Sequence, residues 1–267
     1  DQSGIDALTE KGFEVITTKV PQELLVDYIN ENQIKTILVR SATQVRKELI
    51  DACPSIEIIG RGGVGMDNID VDYARSKNIH VINTPSASSE SVAELVFAHL
   101  FSGARFLPDS NRKMPLVGDS EFAKLKKSYE KGIELRGKTI GIVGMGRIGQ
   151  QTAKIAEAFG MKVCYASRTV KAELPYSAVP LETLFSESDF IALCCPSTPE
   201  NIGFVNKELL AKMKRTAYLV NASRGQLIQE KDLAEALKEG VVAGAALDVL
   251  SQEPPSESNP LLTAPNC

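Results

Sequence analysis

The chain has 267 residues, 43% hydrophobic and 24% charged, enough for a sizeable core in one large or two medium domains. A formal net charge of −4 argues against nucleic acid or an anionic membrane surface as a partner. No apolar run reaches membrane-spanning length, no signal peptide pattern precedes the first element, and Cys53, Cys164, Cys194, Cys195 and Cys267 show no C-x-x-C spacing. Such cysteines suit a reducing cytoplasm and offer no metal site.

Short β-rich runs alternate with helical periods, the pattern of an α/β protein with parallel sheets. A helix is expected over Ser3–Gly12 with Ile5 and Leu8 inward. Strands follow at Phe13–Thr18, Thr36–Ser41, Ile56–Gly60 and His80–Asn83, with helices Pro21–Asn30, Arg46–Ala52 and Asp70–Lys77 between them. These elements form a small flavodoxin-like domain over 1–84. Because that sheet begins with a central strand and this chain begins with a helix, the domain is expected to lack its first strand. A long helix, Ser89–Phe106, links it to a second domain over 85–267. The charged stretch Arg112–Arg136, holding Pro115 and two glycines, reads as an excursion. From Lys138 the period is regular: strands at 139–144, 162–167, 190–195, 217–222 and 242–249, helices at 147–159, 181–187, 207–214 and 230–239.

The first of those strands runs into Gly144-Met145-Gly146-Arg147-Ile148-Gly149. This is G-x-G-x-x-G between a strand and a helix, the setting in which each glycine has a physical task. Gly144 permits the tight turn, Gly146 lets backbone N–H groups approach a pyrophosphate, and Gly149 lets helix and strand pack closely. The helix N-terminus then directs partial positive charge at a diphosphate. The second domain is therefore predicted to be a Rossmann-type doubly wound sheet that binds a dinucleotide. Its second strand ends at Ser167-Arg168, where an acidic residue would normally bond the ribose 2′-hydroxyl of NAD. A serine followed by arginine can host a 2′-phosphate, so NAD and NADP both stay open.

Arg224 follows the strand at 217–222, on the edge where α/β sheets bind ligands. Its planar fork suits a carboxylate and an adjacent carbonyl. Gly62-Gly63-Val64-Gly65 can present successive backbone N–H groups as an anion nest.

Several further segments, in order and spacing, resemble the D-isomer-specific 2-hydroxyacid dehydrogenases over essentially the whole chain. They are Val39-Arg40-Ser41-Ala42-Thr43, Gly60–Asp70, Asn83-Thr84-Pro85 with Ser91-Val92-Ala93-Glu94, and Cys195-Pro196-Ser197-Thr198-Pro199. Asn221-Ala222-Ser223-Arg224-Gly225 and Ala243–Val249 with Glu253-Pro254 complete the set. The first half is most similar to the D-3-phosphoglycerate dehydrogenases of that family. The part from about Arg168 is closer to hydroxypyruvate and glyoxylate reductases.

The resemblance implies an enzyme moving hydride between a nicotinamide and a D-2-hydroxy acid, 3-phosphoglycerate first and hydroxypyruvate or glyoxylate second. It implies that Arg224 grips the acid and that Glu253 orients a catalytic histidine. Asp248 would contact the nicotinamide amide, with Thr84, Val92, Cys195, Pro196 and Ala222 lining the cofactor. Arg40 and Arg61 match positions that hold the substrate phosphate, beside Gly63, Val64 and Gly65. The family's histidine belongs in a Pro-His pair just after a segment matching Asn259–Cys267; His80 and His99 do not match it. A homodimer is implied as well. The reading from another class is a catalytically silent dinucleotide-binding scaffold.

Overall fold

In the computed structural model, which describes residues 2–267, the chain divides into two compact units with the break between Ala87 and Ser88. In the first unit α1 (Gln2–Glu10), α2 (Leu25–Glu31), α3 (Lys47–Ala52) and α4 (Val71–Ser76) accompany β1 (Thr36–Val39), β2 (Ile58–Arg61) and β3 (His80–Asn83). The strands are parallel, in the order β1-β2-β3. Strand period two sends Ile37, Val39 and Ile59 into a core with Ile29 of α2, Leu49 and Ile50 of α3 and Ala74 of α4. The alternate residues Leu38 and Ile82 stay 63% and 57% exposed. Helix α1 buries no residue; Ile5 and Leu8 are only half-buried.

The strand expected at Phe13–Thr18 is not formed. Among the described residues no strand pairs with 13–18, so its apolar alternation has no ladder to join.

In the second unit the sheet contains β4 (Thr139–Val143), β5 (Lys162–Ala166), β6 (Ser177–Ala178), β7 (Phe190–Leu193), β8 (Tyr218–Asn221) and β9 (Gly244–Leu247). All pairs are parallel, in the order β6-β5-β4-β7-β8-β9. This is the doubly wound order, with its switch point between β4 and β7. One face packs on α5 (Ser89–Ala104) and α7 (Arg147–Ala158): Ile140, Ile142, Tyr165, Phe190 and Ala192 meet Val96, Phe97, Leu100, Ala153 and Ala156. The other face sends Val143, Ile191, Leu193 and Leu219 against α8 (Leu181–Glu187), α9 (Lys207–Leu210) and α10 (Glu230–Lys238). Each fully buried side chain of this size stabilises the fold by about 1.5–3 kcal/mol relative to exposure. The near-continuous apolar strands follow from burial on both faces.

The expected excursion at Arg112–Arg136 is largely helical. Helix α6 covers Leu107–Tyr129 and leaves helical geometry at Glu121 (φ −117°, ψ 17°). Tyr129 donates to the Asp109 carboxylate, 20 positions earlier, at 3.0 Å. A straight helix would hold those residues about 30 Å apart, so the chain reverses at Glu121. The ion pairs Lys113–Asp109 and Lys124–Glu121 support the two arms, a contribution that composition alone disguises as a polar loop. Among the described residues no helix is long and apolar enough to cross a membrane.

Candidate active site

Strand register brings the candidate residues of the second unit to one level. Val143 pairs with Ala166 and with Leu193, Leu193 with Asn221, and Asn221 with Leu247. Gly144, Ser167, Cys194, Ala222 and Asp248 are therefore the first residues beyond the carboxyl ends of five parallel strands. Backbone bonds hold that row: Gly144 N–H to Ala166 O at 2.8 Å, Cys194 N–H to Val143 O at 2.8 Å, Asp248 N–H to Asn221 O at 2.9 Å.

The glycine turn has the geometry its residues predict. Gly144 adopts φ +98°, and a Cβ there would meet the Cys195 backbone nitrogen at 2.7 Å. A Cβ on Gly149 would overlap the Gly144 carbonyl oxygen, whereas one on Gly146 would meet nothing within 4 Å. Two glycines thus close the turn on itself and the third faces free space. Gly146 is the N-cap of α7 and supplies no side-chain cap, so the leading N–H groups at Arg147, Ile148 and Gly149 lack intrahelical partners. That combination fits a dinucleotide pyrophosphate.

Ser167 and Arg168 are exposed beyond β5. The Arg168 charge reaches two neighbours on the following loop. Glu200 has its carboxyl held below its ordinary value, first by a hydrogen bond from Thr198 and in smaller part by Arg168. Cys195 is pushed up by burial, with Arg168 opposing. Burial also raises Cys194, whose sulfur lies 3.9 Å from the Thr152 hydroxyl, to about 12. Both thiols line this edge in the protonated form at neutral pH.

Arg224 is half-buried, with one guanidinium nitrogen donating to the Ser223 carbonyl at 2.8 Å. Its turn is fixed by Asn221, which is fully buried: its amide donates to Arg224 O at 2.9 Å and accepts from Ser223 N–H at 3.1 Å. The Ser223 hydroxyl donates to Cys195 O, tying the β7 and β8 loops together across the row. Glu253 is exposed and accepts the Leu250 N–H at 3.1 Å. Asp248 is exposed at the end of β9, and Pro196 is exposed beside Cys195. Asn221, Ser223 and Thr152 were not singled out as site residues by the sequence. Asn221 and Ser223 both fall in the segment Asn221–Gly225, and a polar residue ending an apolar strand is the signal for the first.

The first unit carries its own row. Val39 pairs with Arg61, and Arg61 with Asn83, so Arg40 and Thr84 begin the loops after the two outer strands and Arg61 ends the middle one. Gly62 and Gly63 turn their N–H groups inward, to Val39 O and Arg61 O, both at 2.9 Å. The four-residue nest expected from the sequence is thereby reduced to the N–H groups of Val64 and Gly65, because closing the turn consumes the first two. The Arg61 guanidinium donates to Gly62 O at 3.1 Å and packs on Gly63, where a Cβ would collide with it. Asn83 donates to Val64 O at 2.7 Å, and buried Asn68 donates to Arg40 O at 2.8 Å and Thr43 O at 2.6 Å. Val92, on the first turn of α5, donates its N–H to Ser88 O at 3.0 Å. Among the described residues no group of three or more His, Cys, Asp or Glu side chains is placed to hold a metal ion.

Comparison with known proteins agrees with this geometry. The profile of the D-isomer specific 2-hydroxyacid dehydrogenase, NAD binding domain, matches residues 97–267. The chain is 40% identical to a D-3-phosphoglycerate dehydrogenase of Methanocaldococcus jannaschii over 99% of its own length and 50% of the relative's. It is 39% identical to a hydroxypyruvate reductase of Thermotoga maritima, over 94% of this chain and 83% of that one. An acyclic imino acid reductase solved with NADPH and D-arginine superposes with a TM-score of 0.84 at 30% identity, over 98% of this chain and 82% of that chain. The chain spans about half the length of the phosphoglycerate dehydrogenases it matches.

Proposed function

The chain belongs to the D-isomer specific 2-hydroxyacid dehydrogenase family and carries its NAD-binding domain, and from that premise we propose that the protein interconverts a D-2-hydroxy acid and its 2-oxo acid. The observation that carries this reading is the single row of Gly144, Ser167, Cys194, Ala222 and Asp248 at the carboxyl edge of the sheet, with Arg224 two residues beyond Ala222.

A bound nicotinamide dinucleotide supplies the hydride acceptor or donor. The Gly144–Gly149 turn and the opening N–H groups of α7 hold its paired phosphates. Ser167 and Arg168 receive the ribose that carries either a hydroxyl or a phosphate, and their chemistry accepts NADP(H) as readily as NAD(H). Cys195, Pro196, Ala222 and Asp248 line the cofactor, with Val92 as a further contact. Arg224 offers two parallel N–H donors to the substrate carboxylate and the reacting oxygen, which stabilises the negative charge that develops there. Glu253 orients the histidine that moves the proton, a role the resemblance assigns and whose histidine neither His80 nor His99 supplies.

3-Phosphoglycerate is the leading substrate. Arg40 and Arg61 come from adjacent parallel strand ends, two cations suited to a phosphate, with the Val64 and Gly65 N–H groups beside them. Hydroxypyruvate or glyoxylate is the second reading, favoured by the 39% identity to the hydroxypyruvate reductase. The full-length protein, assayed by absorbance of the reduced nicotinamide with each acid, tests both. Turnover with 3-phosphoglycerate that falls steeply in Arg40→Ala supports the first. Turnover of hydroxypyruvate unaffected by Arg40→Ala supports the second, and no redox change with any acid refutes both. We further propose a homodimer acting in the cytoplasm.

A further inference from the structure

We propose that Glu230 is a positioning residue that sets Glu253 relative to Arg224; the inference rests on the catalytic reading above. Glu230 opens α10, where a carboxylate is ordinarily explained by the helix dipole alone. Its two oxygens are used otherwise. Oε1 accepts the Ser251 N–H at 2.7 Å and Oε2 accepts the Asn259 side-chain amide at 2.8 Å. Ser251 is also held by its carbonyl, which accepts from the Gln226 side chain at 3.3 Å. Asn259 in turn accepts the Leu261 N–H at 2.9 Å, anchoring buried Leu261 in the second unit's core. The loop that displays Glu253 is therefore staked on both sides by one carboxylate.

The same loop is seated on the Arg224 turn. A Cβ at Gly225 would overlap the Leu250 carbonyl and the Ser251 nitrogen, so the backbone following Arg224 lies directly against the backbone preceding Glu253. Glu253 closes the loop on itself by accepting Leu250 N–H. Gln226 bonds the stretch only at Ser251, whereas Glu230 bonds it at both Ser251 and Asn259.

The test is a double-mutant cycle in the full-length protein, with the better of the two proposed substrates. Glu230→Ala is expected to lower kcat roughly tenfold, short of the 10²–10⁴ that acid–base help carries in full, while the dinucleotide Kd changes less than about threefold. In a Glu253→Gln background the same change should lower kcat by no more than about twofold, because residues acting through one another are non-additive. Glu230→Gln, which keeps an oxygen for Ser251 N–H, should recover part of the loss and stands in if the alanine variant does not fold. Amide exchange over 249–259 should quicken in Glu230→Ala and not in Glu253→Gln. A kcat loss that multiplies undiminished on Glu253→Gln, or no loss at all, overturns the inference. If Arg224→Ala leaves turnover intact, the catalytic reading itself fails and takes this one with it.

Discussion

Gly149 sits so close to Gly144 that a side-chain carbon on the former would overlap the carbonyl oxygen of the latter, while Gly146 between them has 4 Å of free space. The three glycines of one motif therefore answer to different demands, two to packing and one to a ligand. Gly146→Ala should fold with an unchanged Tm and bind NADH and NADPH at least tenfold more weakly by fluorescence titration. Gly149→Ala should lower Tm sharply, because overpacking a tight contact costs about 1–3 kcal/mol of stability. Equal effects of the two on Tm would contradict the division.

Arg224→Ala should reduce kcat/KM by about 10²–10³, the range for removing one donor from a developing oxyanion, with cofactor affinity preserved. Arg224→Lys should recover little, since a point charge lacks the planar pair of donors. Steady-state kinetics beside cofactor titration separates the two terms.

Cofactor choice should turn on Ser167. Ser167→Asp offers a carboxylate to a ribose 2′-hydroxyl and repels a 2′-phosphate. The ratio of NADPH to NADH affinity should fall about ten- to a hundredfold, the span of a charged hydrogen bond of about 1.5–3 kcal/mol. A ratio that does not move would place the ribose elsewhere.

Asp189 links the start of β4 to the segment after α9. Burial raises its carboxyl, but the Thr139 N–H at 2.9 Å and Lys214 at 2.9 Å outweigh that and leave it below its ordinary 3.8. A group depressed in the folded state stabilises fully above its unfolded value, and that stabilisation is lost as pH falls through the folded one. Urea midpoints should therefore decline below pH 3.8 in the wild type and decline less steeply in Asp189→Asn. Identical slopes would remove Asp189 from the acid response.

Much of the second unit could be read from residues, because β4 and α7 announce themselves by period and by glycine spacing at once. The strand ends were overrun by one or two residues, as at 190–195 against Phe190–Leu193, since apolar side chains continue into the loop that lines the row. The first unit was less legible. Phe13–Thr18 alternates like a strand, but alternation cannot reveal whether a neighbour exists. At 112–136, Pro115 and two glycines outweigh a run of helix-forming residues that continues to Tyr129 across the break at Glu121. Glu230 carries no local signature because its partners, Ser251 and Asn259, lie 21 and 29 positions away, beyond any local pattern.

The level row at the carboxyl edge divides the chain into lengths that are fixed and lengths that are free. Removing a single residue within β8 would swap its side chains between the two packed faces of the sheet and drag Arg224 off its level, whereas a residue gained in the stretch between Pro196 and Asn201 alters neither. Inherited variation in what this scaffold accepts should therefore accumulate as insertions after the strands, never within them.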